Sequence, residues 1–226
     1  DYLLDLQDGL RSVSSYLYDL TDGQMAIGSV DFAVGGGRWD DADLKALAAN
    51  DFRPTAFVGG IVPRKVAGKT NFVPAEIYLG RHWNGRSAQE GQWAMPEGFR
   101  TIAHEWGHYA LFLYDSYREV VSGTARSGLC ICNELGRVGS NTPSACSPDS
   151  PEEAASAMAY HYTASELWHS AHDLASHPNA CNGSDQNRAH GESDWATLGR
   201  WSALQNLGVV LLNLPSDPAS GPAELV

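Results

Sequence analysis

The pentapeptide His104-Glu105-Trp106-Gly107-His108 constrains this chain more than any other feature of its sequence. It sits in an apolar stretch, with Thr101-Ile102-Ala103 before it and Tyr109-Ala110-Leu111 after it. That pattern predicts a buried helix over Gly98 to Tyr114. Positions four apart share one helical face, so His104 and His108 can offer imidazole nitrogens to a single ion. Glu105, beside the first histidine, is then placed to take a proton from a water on that ion and later pass it to a leaving amine. This is the H-E-x-x-H logic of zinc hydrolases. Two histidines on an ordinary surface helix are the bland alternative, and the apolar flanks speak against it.

A catalytic zinc ion needs a third protein ligand and one open position. Asp115 is the first choice, with Tyr114, Tyr117, Glu119 and Glu134 as alternatives. On a straight helix His108 and Asp115 would lie about 10 Å apart along the axis, at ~1.5 Å per residue. Ligands at ~2 Å from one ion cannot span that distance. The chain is therefore expected to leave the helix after His108 and fold back.

Composition narrows the class. The formal net charge is −12, with 27 acidic against 15 basic residues. That argues against a nucleic-acid partner, which needs a basic face. The 43% hydrophobic content is enough for a core and argues against wholesale disorder. The longest apolar runs, such as Leu207 to Leu212, are far shorter than the ~20 residues that span a bilayer. The opening Asp1-Tyr2-Leu3-Leu4-Asp5 has no secretory signal, so the chain is expected to start after processing or within a longer protein.

The cysteines are Cys130, Cys132, Cys146 and Cys181. One residue between the first two is poor spacing for zinc. An even number in loop-like sequence predicts two disulfides and hence a secreted protein. A Cys130–Cys132 bridge would be strained, so each is expected to pair with Cys146 or Cys181, in an order the sequence leaves open.

A second element lies downstream. Ser156-Ala157-Met158-Ala159-Tyr160 resembles the Met-turn of the metzincin clan, where a methionine packs under the zinc ligands. The segment His104 to Asp115 resembles the metallopeptidase domain of the calcium-activated chloride channel regulator family. In that family H-E-x-x-H is followed at the same distance by Asp-Glu and then Tyr. Here the stretch is Asp115-Ser116-Tyr117, so Ser116 replaces the Glu, and Phe112 replaces the family's Gly. Ala155-Ser156-Ala157-Met158, Ser184-Asp185-Gln186-Asn187 and Ser193-Asp194-Trp195 follow in the family's order, with a cysteine-rich loop before the later two. The resemblance covers roughly residues 97 to 200. It implies Asp115 as third ligand and Met158 beneath the site. It also implies Tyr160 near the metal, as a stabiliser of the oxyanion, and a secreted or cell-surface protein that can carry further domains. The clan further implies a strand beside the cleft that pairs with extended substrate, and Ile77, Tyr78 and Leu79 within Ala75–Gly80 are the candidates.

Elsewhere the pattern predicts a helix over residues 4 to 20, ended by Thr21-Asp22-Gly23. Strands are expected at Met25 to Val34, Phe57 to Val62 and Ala75 to Gly80, and Ala42 to Ala49 reads as either helix or strand. Residues 122 to 151 read as a long loop. Helices are expected at Thr163 to Leu174 and Trp195 to Asn206, with polar loop over 176 to 194. His161, His169, His172, His177 and His190 read as solvated or core histidines rather than a second ion site. Asn182-Gly183-Ser184 fits a glycosylation acceptor.

The expected whole is an α/β (α+β) metzincin-like catalytic domain over 1–213. Its upper lobe, about 1–112, has a twisted sheet and the active-site helix above a cleft. Its lower lobe, about 113–213, is irregular, disulfide-tied and ends in a helix, and 214–226 is a linker or tail. The expected activity is that of a secreted zinc endopeptidase acting on protein or peptide substrates. Calcium is possible but not indicated. A gluzincin-like peptidase with Glu119 or Glu134 as third ligand, or a low-activity metal-containing interaction module, is the alternative.

Overall fold

A computed structural model describes residues 1–58, 62–66, 69–73, 76–86, 91–122, 125–131, 156–159, 161–168 and 184–200; for 62–66, 69–73, 118–122, 125–131 and 200 it describes the backbone only. Helix α1 spans Tyr2–Leu20. Its buried side chains, Leu6, Leu10, Val13, Leu17 and Leu20, recur every three or four residues and form one apolar stripe. The Asp1 carboxylate caps its start, accepting from the Leu3 N–H at 3.1 Å. Thr21 ends it by donating its hydroxyl to the Leu17 carbonyl at 2.6 Å, followed by Asp22 and Gly23 at φ 50° and 77°.

The stripe of α1 packs against helix α2, Pro96–Leu111. Two devices set the approach. The Asp5 carboxylate accepts from the Trp93 and Ala94 N–H groups at 2.8 and 3.0 Å, fixing the chain just before α2. Gly9 faces the same spot so closely that a Cβ there would come within 2.6 Å of the Trp93 carbonyl oxygen. Gly9→Ala is therefore expected to lower stability. The clash costs about 1–3 kcal/mol, against roughly 1 kcal/mol gained from alanine's helix propensity. Urea unfolding checks this, and an unchanged or raised midpoint would show that α1 does not dock through Gly9.

Beneath the helices lies a small sheet of β1 (Leu44–Ala46), β2 (Thr55–Ala56) and β5 (Ile77–Leu79), in the order β1-β5-β2. β5 runs parallel to β1 and antiparallel to β2. Ile77 and Leu79 are completely buried between sheet and helices. Two hairpins complete the strands: β3 (Val62–Val66) with β4 (Lys69–Val73), and β6 (Tyr117–Ser122) with β7 (Ala125–Ile131). Short helices α3 (Asp185–His190) and α4 (Asp194–Arg200) follow. Ala157, Met158, Ala164, Leu167, Trp195 and Leu198 join the same core as α1 and α2. The fold is thus mixed α+β, and among the described residues no helix is long and apolar enough to cross a membrane.

Several sequence expectations are corrected. Met25 to Val34 forms no strand. Met25 and Ile27 pack against the core, but Val30, Phe32 and Val34 are 43, 40 and 75% exposed. Alternation marks a strand only where a neighbour takes up its backbone groups, and here the Ser14 hydroxyl takes up both backbone groups of Ile27. The strand expected over Phe57 to Val62 is not formed at its start: β2 ends at Ala56, Phe57 is exposed outside any strand, and Val62 instead begins β3. Thr163 to Trp168 is not helical; Glu166 instead bridges to Ser156. The loop expected from residue 122 contains β7, and the loop over 176–194 contains α3. α2 stops at Leu111, short of the expected Tyr114. Cys132, Cys146, Cys181, the side chain of Cys130 and the tail 214–226 lie outside the described residues.

Candidate metal centre

α2 starts with Pro96 at its first turn, where a missing N–H costs nothing. It ends at Phe112, which takes the left-handed conformation at φ 59° and ψ 28°. The Leu113 N–H reaches back to the Gly107 carbonyl at 3.1 Å, closing the end of the helix. A glycine would adopt this turn without strain, whereas Phe112 does so against its own Cβ. The consequence is a sharp reversal just past the second histidine, which returns the chain toward His104 and His108.

Asp115 is brought back by that reversal. Its Oδ1 lies 3.3 Å from Nε2 of His104 and 3.4 Å from Nε2 of His108, and the two Nε2 atoms are 3.2 Å apart. Each imidazole donates its other nitrogen to a backbone carbonyl. His104 Nδ1 meets the Ala157 oxygen at 2.9 Å, and His108 Nδ1 meets the Leu113 oxygen at 2.7 Å. A carbonyl only accepts, so both Nδ1 atoms carry a proton and the Nε2 atoms are the ones left to face an ion. Asp115 Oδ1 is buried and accepts no well-formed hydrogen bond. Three acceptors therefore converge where a positive charge is needed. In a tetrahedral zinc site with ligands at ~2.0–2.1 Å, neighbouring donor atoms stand roughly 3.3 Å apart. The three separations match that edge length, and two imidazoles with one carboxylate are a donor set zinc accepts.

The surrounding carboxylates attract positive charge, which is a proton on His104 when no ion is bound. Burial opposes charge on His104, yet Asp115 and Glu105 beside it outweigh burial and push its pKa up to about 9. Burial also works against the Asp115 carboxylate, but the two imidazoles hold it far below the usual carboxylate range. Glu105 is buried beside them; burial raises its pKa and the neighbouring histidines partly offset the rise. An open cleft of about 340 Å³ reaches His104, Glu105, His108 and Asp115, with β2 along its wall.

Met158 lies under this group. It is 1% exposed, and a Cβ on Gly107 would come within 2.6 Å of its Sδ. Its segment is tied to the ligands by backbone: the Ala157 carbonyl takes the His104 ring, and the Met158 carbonyl accepts from the Ser116 N–H at 2.8 Å. Asp194, fully buried at the start of α4, gathers the rest. Its carboxylate accepts from the Ser116 hydroxyl at 3.0 Å, the Ser156 hydroxyl at 2.5 Å and the Trp168 N–H at 2.9 Å. Burial pushes its pKa up to about 6 against those three bonds.

Of the other residues singled out in sequence, Tyr114 and Tyr117 line the cleft. Tyr160, Glu134 and the side chain of Glu119 lie outside the described residues, as do His169, His172, His177 and Asn182. The strand Ile77–Leu79 does not border the cleft as a free edge. It is the middle strand, paired on both sides and buried, so its backbone has no edge left to offer a substrate. β2, at the end of the sheet, is the strand that lines the cleft. His161 stacks on His104 with ring centroids 4.5 Å apart and meets the Thr101 hydroxyl at 3.0 Å; burial holds its pKa well below the ordinary value. Sequence reading missed the roles of Asp194 and α3. For α3 a signal existed: Ser184 caps its start by accepting from the Asn187 N–H at 3.2 Å, and Gly191 ends it at φ 71°.

Compared with known proteins, the chain matches no family model, no curated protein and no solved structure.

Proposed function

We propose that the chain is a zinc-dependent peptide hydrolase of the metzincin kind, with His104, His108 and Asp115 as metal ligands and Glu105 as general base. One observation carries the reading. Three buried ligand-type atoms stand 3.2, 3.3 and 3.4 Å apart, and each imidazole is held at its other nitrogen by a backbone carbonyl. When bound, zinc would supply a Lewis acid for the scissile carbonyl and lower the pKa of a water toward neutrality. Glu105 takes a proton from the attacking water and returns it to the departing amine. Asp115 offsets part of the ion's charge, and the Ala157 carbonyl fixes the ring of His104.

Substrate lies along β2, which among the described residues ends the sheet and lines the cleft, where an extended peptide would share the strand's main-chain hydrogen-bonding groups with the Glu105 carboxylate that the Ala56 backbone already meets. Such bonds make few sequence demands, so affinity would rest on backbone and selectivity on the flanking side chains. Two histidines and one carboxylate also suit non-haem iron(II). Glu105 decides between them, since a buried general base next to the ligands serves hydrolysis and has no part in oxygen activation. The four cysteines fit the same secreted setting as the clan resemblance.

The test is metal loading followed by a mixed peptide library read by mass spectrometry. One zinc per chain is expected, with cleavage that a chelator stops and added zinc restores. Stoichiometric zinc without any cleavage would leave a structural metal site and reject the hydrolase.

A further inference from the structure

The geometry points to α3 as the template that aims the third ligand, with Gln186 as its positioning residue. The inference rests on the metal-centre reading above, because it concerns how Asp115 comes to face the two histidines.

Residues 112–115 must reverse direction within a few residues of His108, and they do so without a glycine at Phe112. Left-handed backbone at a non-glycine residue persists only where its surroundings over-determine it. α3 supplies those surroundings. The His190 ring donates to the Phe112 carbonyl at 2.9 Å and packs against the Phe112 ring, centroids 4.8 Å apart. The Tyr114 N–H donates to Oε1 of Gln186 at 2.8 Å. The Gln186 N–H in turn donates to the Asp115 carbonyl at 3.0 Å. One residue therefore grips the dipeptide Tyr114-Asp115 at both ends, with its side chain on one and its backbone on the other.

Gln186 is itself immobilised. It is completely buried, and its Nε2 donates to the Thr197 hydroxyl on α4 at 2.7 Å. The grip is thus anchored to the helix whose Asp194 holds the next residue, Ser116. Two short helices, about 70 to 80 residues downstream in sequence, hold the residues on either side of Asp115, Tyr114 by its N–H and Ser116 by its hydroxyl. Gln186 is not one of the three converging residues and does not line the cleft, so its action passes through Asp115. It differs from a merely structural buried amide in one respect: loosening it should move the ion's affinity, and not only the stability of the fold.

Gln186→Met tests this, since methionine keeps the length and burial but offers Tyr114 no good acceptor. Zinc affinity, read by competition with a chromophoric chelator, is expected to fall about 10–100-fold, the usual cost of losing an outer-sphere partner. The electronic spectrum of the cobalt-loaded protein should change with it. Gln186→Glu, which keeps the Oε acceptor and, as the neutral acid at low pH, also a donor toward Thr197, should restore the cobalt spectrum toward the parent there. Parental zinc affinity and cobalt spectrum in Gln186→Met, whatever its melting temperature, would overturn the proposal alone. A parent chain that takes up no zinc would overturn the metal-centre reading and this proposal together. Hydrogen exchange on the unaltered protein gives a check that needs no variant to fold. The Tyr114 amide should be protected in the metal-free state, and exchange there at the rate of an open loop would overturn the template.

Discussion

Glu105→Gln is expected to keep zinc and fold while lowering peptide turnover by at least ~10²–10⁴-fold, the usual range for a positioned general base. Glutamine fills the same volume and can still make hydrogen bonds, but it cannot take the proton of an attacking water. Glu105 is 8% exposed and stands next to His104 on the buried face of α2. It is not one of the three atoms that converge on the ion, so zinc content should be unchanged. Turnover near that of the parent, with zinc content confirmed, would sink the mechanism. Loss of zinc along with activity would mean that Glu105 acts on the ion rather than on water.

Asp115→Ala should have the largest effect on the metal. Removing a direct ligand is expected to cost more than the roughly 10–100-fold that outer-sphere changes cost, while the fold largely survives. The Asp115 side chain faces the two imidazoles, and its backbone carbonyl would still accept from Gln186. In the metal-free protein the same change removes the carboxylate that supports charge on His104, so the raised pKa of that imidazole should fall. Metal-competition titration decides the main point. Parental affinity in Asp115→Ala would require another third ligand, and Glu119 or Glu134 would come forward with the gluzincin-like reading.

Much of this architecture is legible in the chain. Period-3.6 burial over Leu6 to Leu20 determined α1, because a helix with one apolar stripe has only one face to bury. The same periodicity determined α2 and set His104 and His108 one turn apart on its inner side. A rise of ~1.5 Å per residue required the chain to break after His108 if Asp115 was to reach the same ion. All of these are short-range consequences of helical geometry.

What the sequence could not decide depends on partners far away. Met25 to Val34 alternates like a strand, yet a strand needs a neighbour, and that segment forms none. Ile77 to Leu79 reads equally well as a cleft edge or a central strand, and only pairing with both β1 and β2 makes it central. The place of the helix break is the sharpest case. Phe112 has no intrinsic preference for left-handed backbone, and local propensity would carry the helix further. The His190 and Gln186 hydrogen bonds to residues 112–115 hold the reversal, and Asp194 does the same for Ser116. The chain by itself determined which residues could bind an ion and on which helix. Tertiary structure alone decided that the third one arrives, because the strained turn that delivers it is stabilised by hydrogen bonds from residues more than 70 positions later.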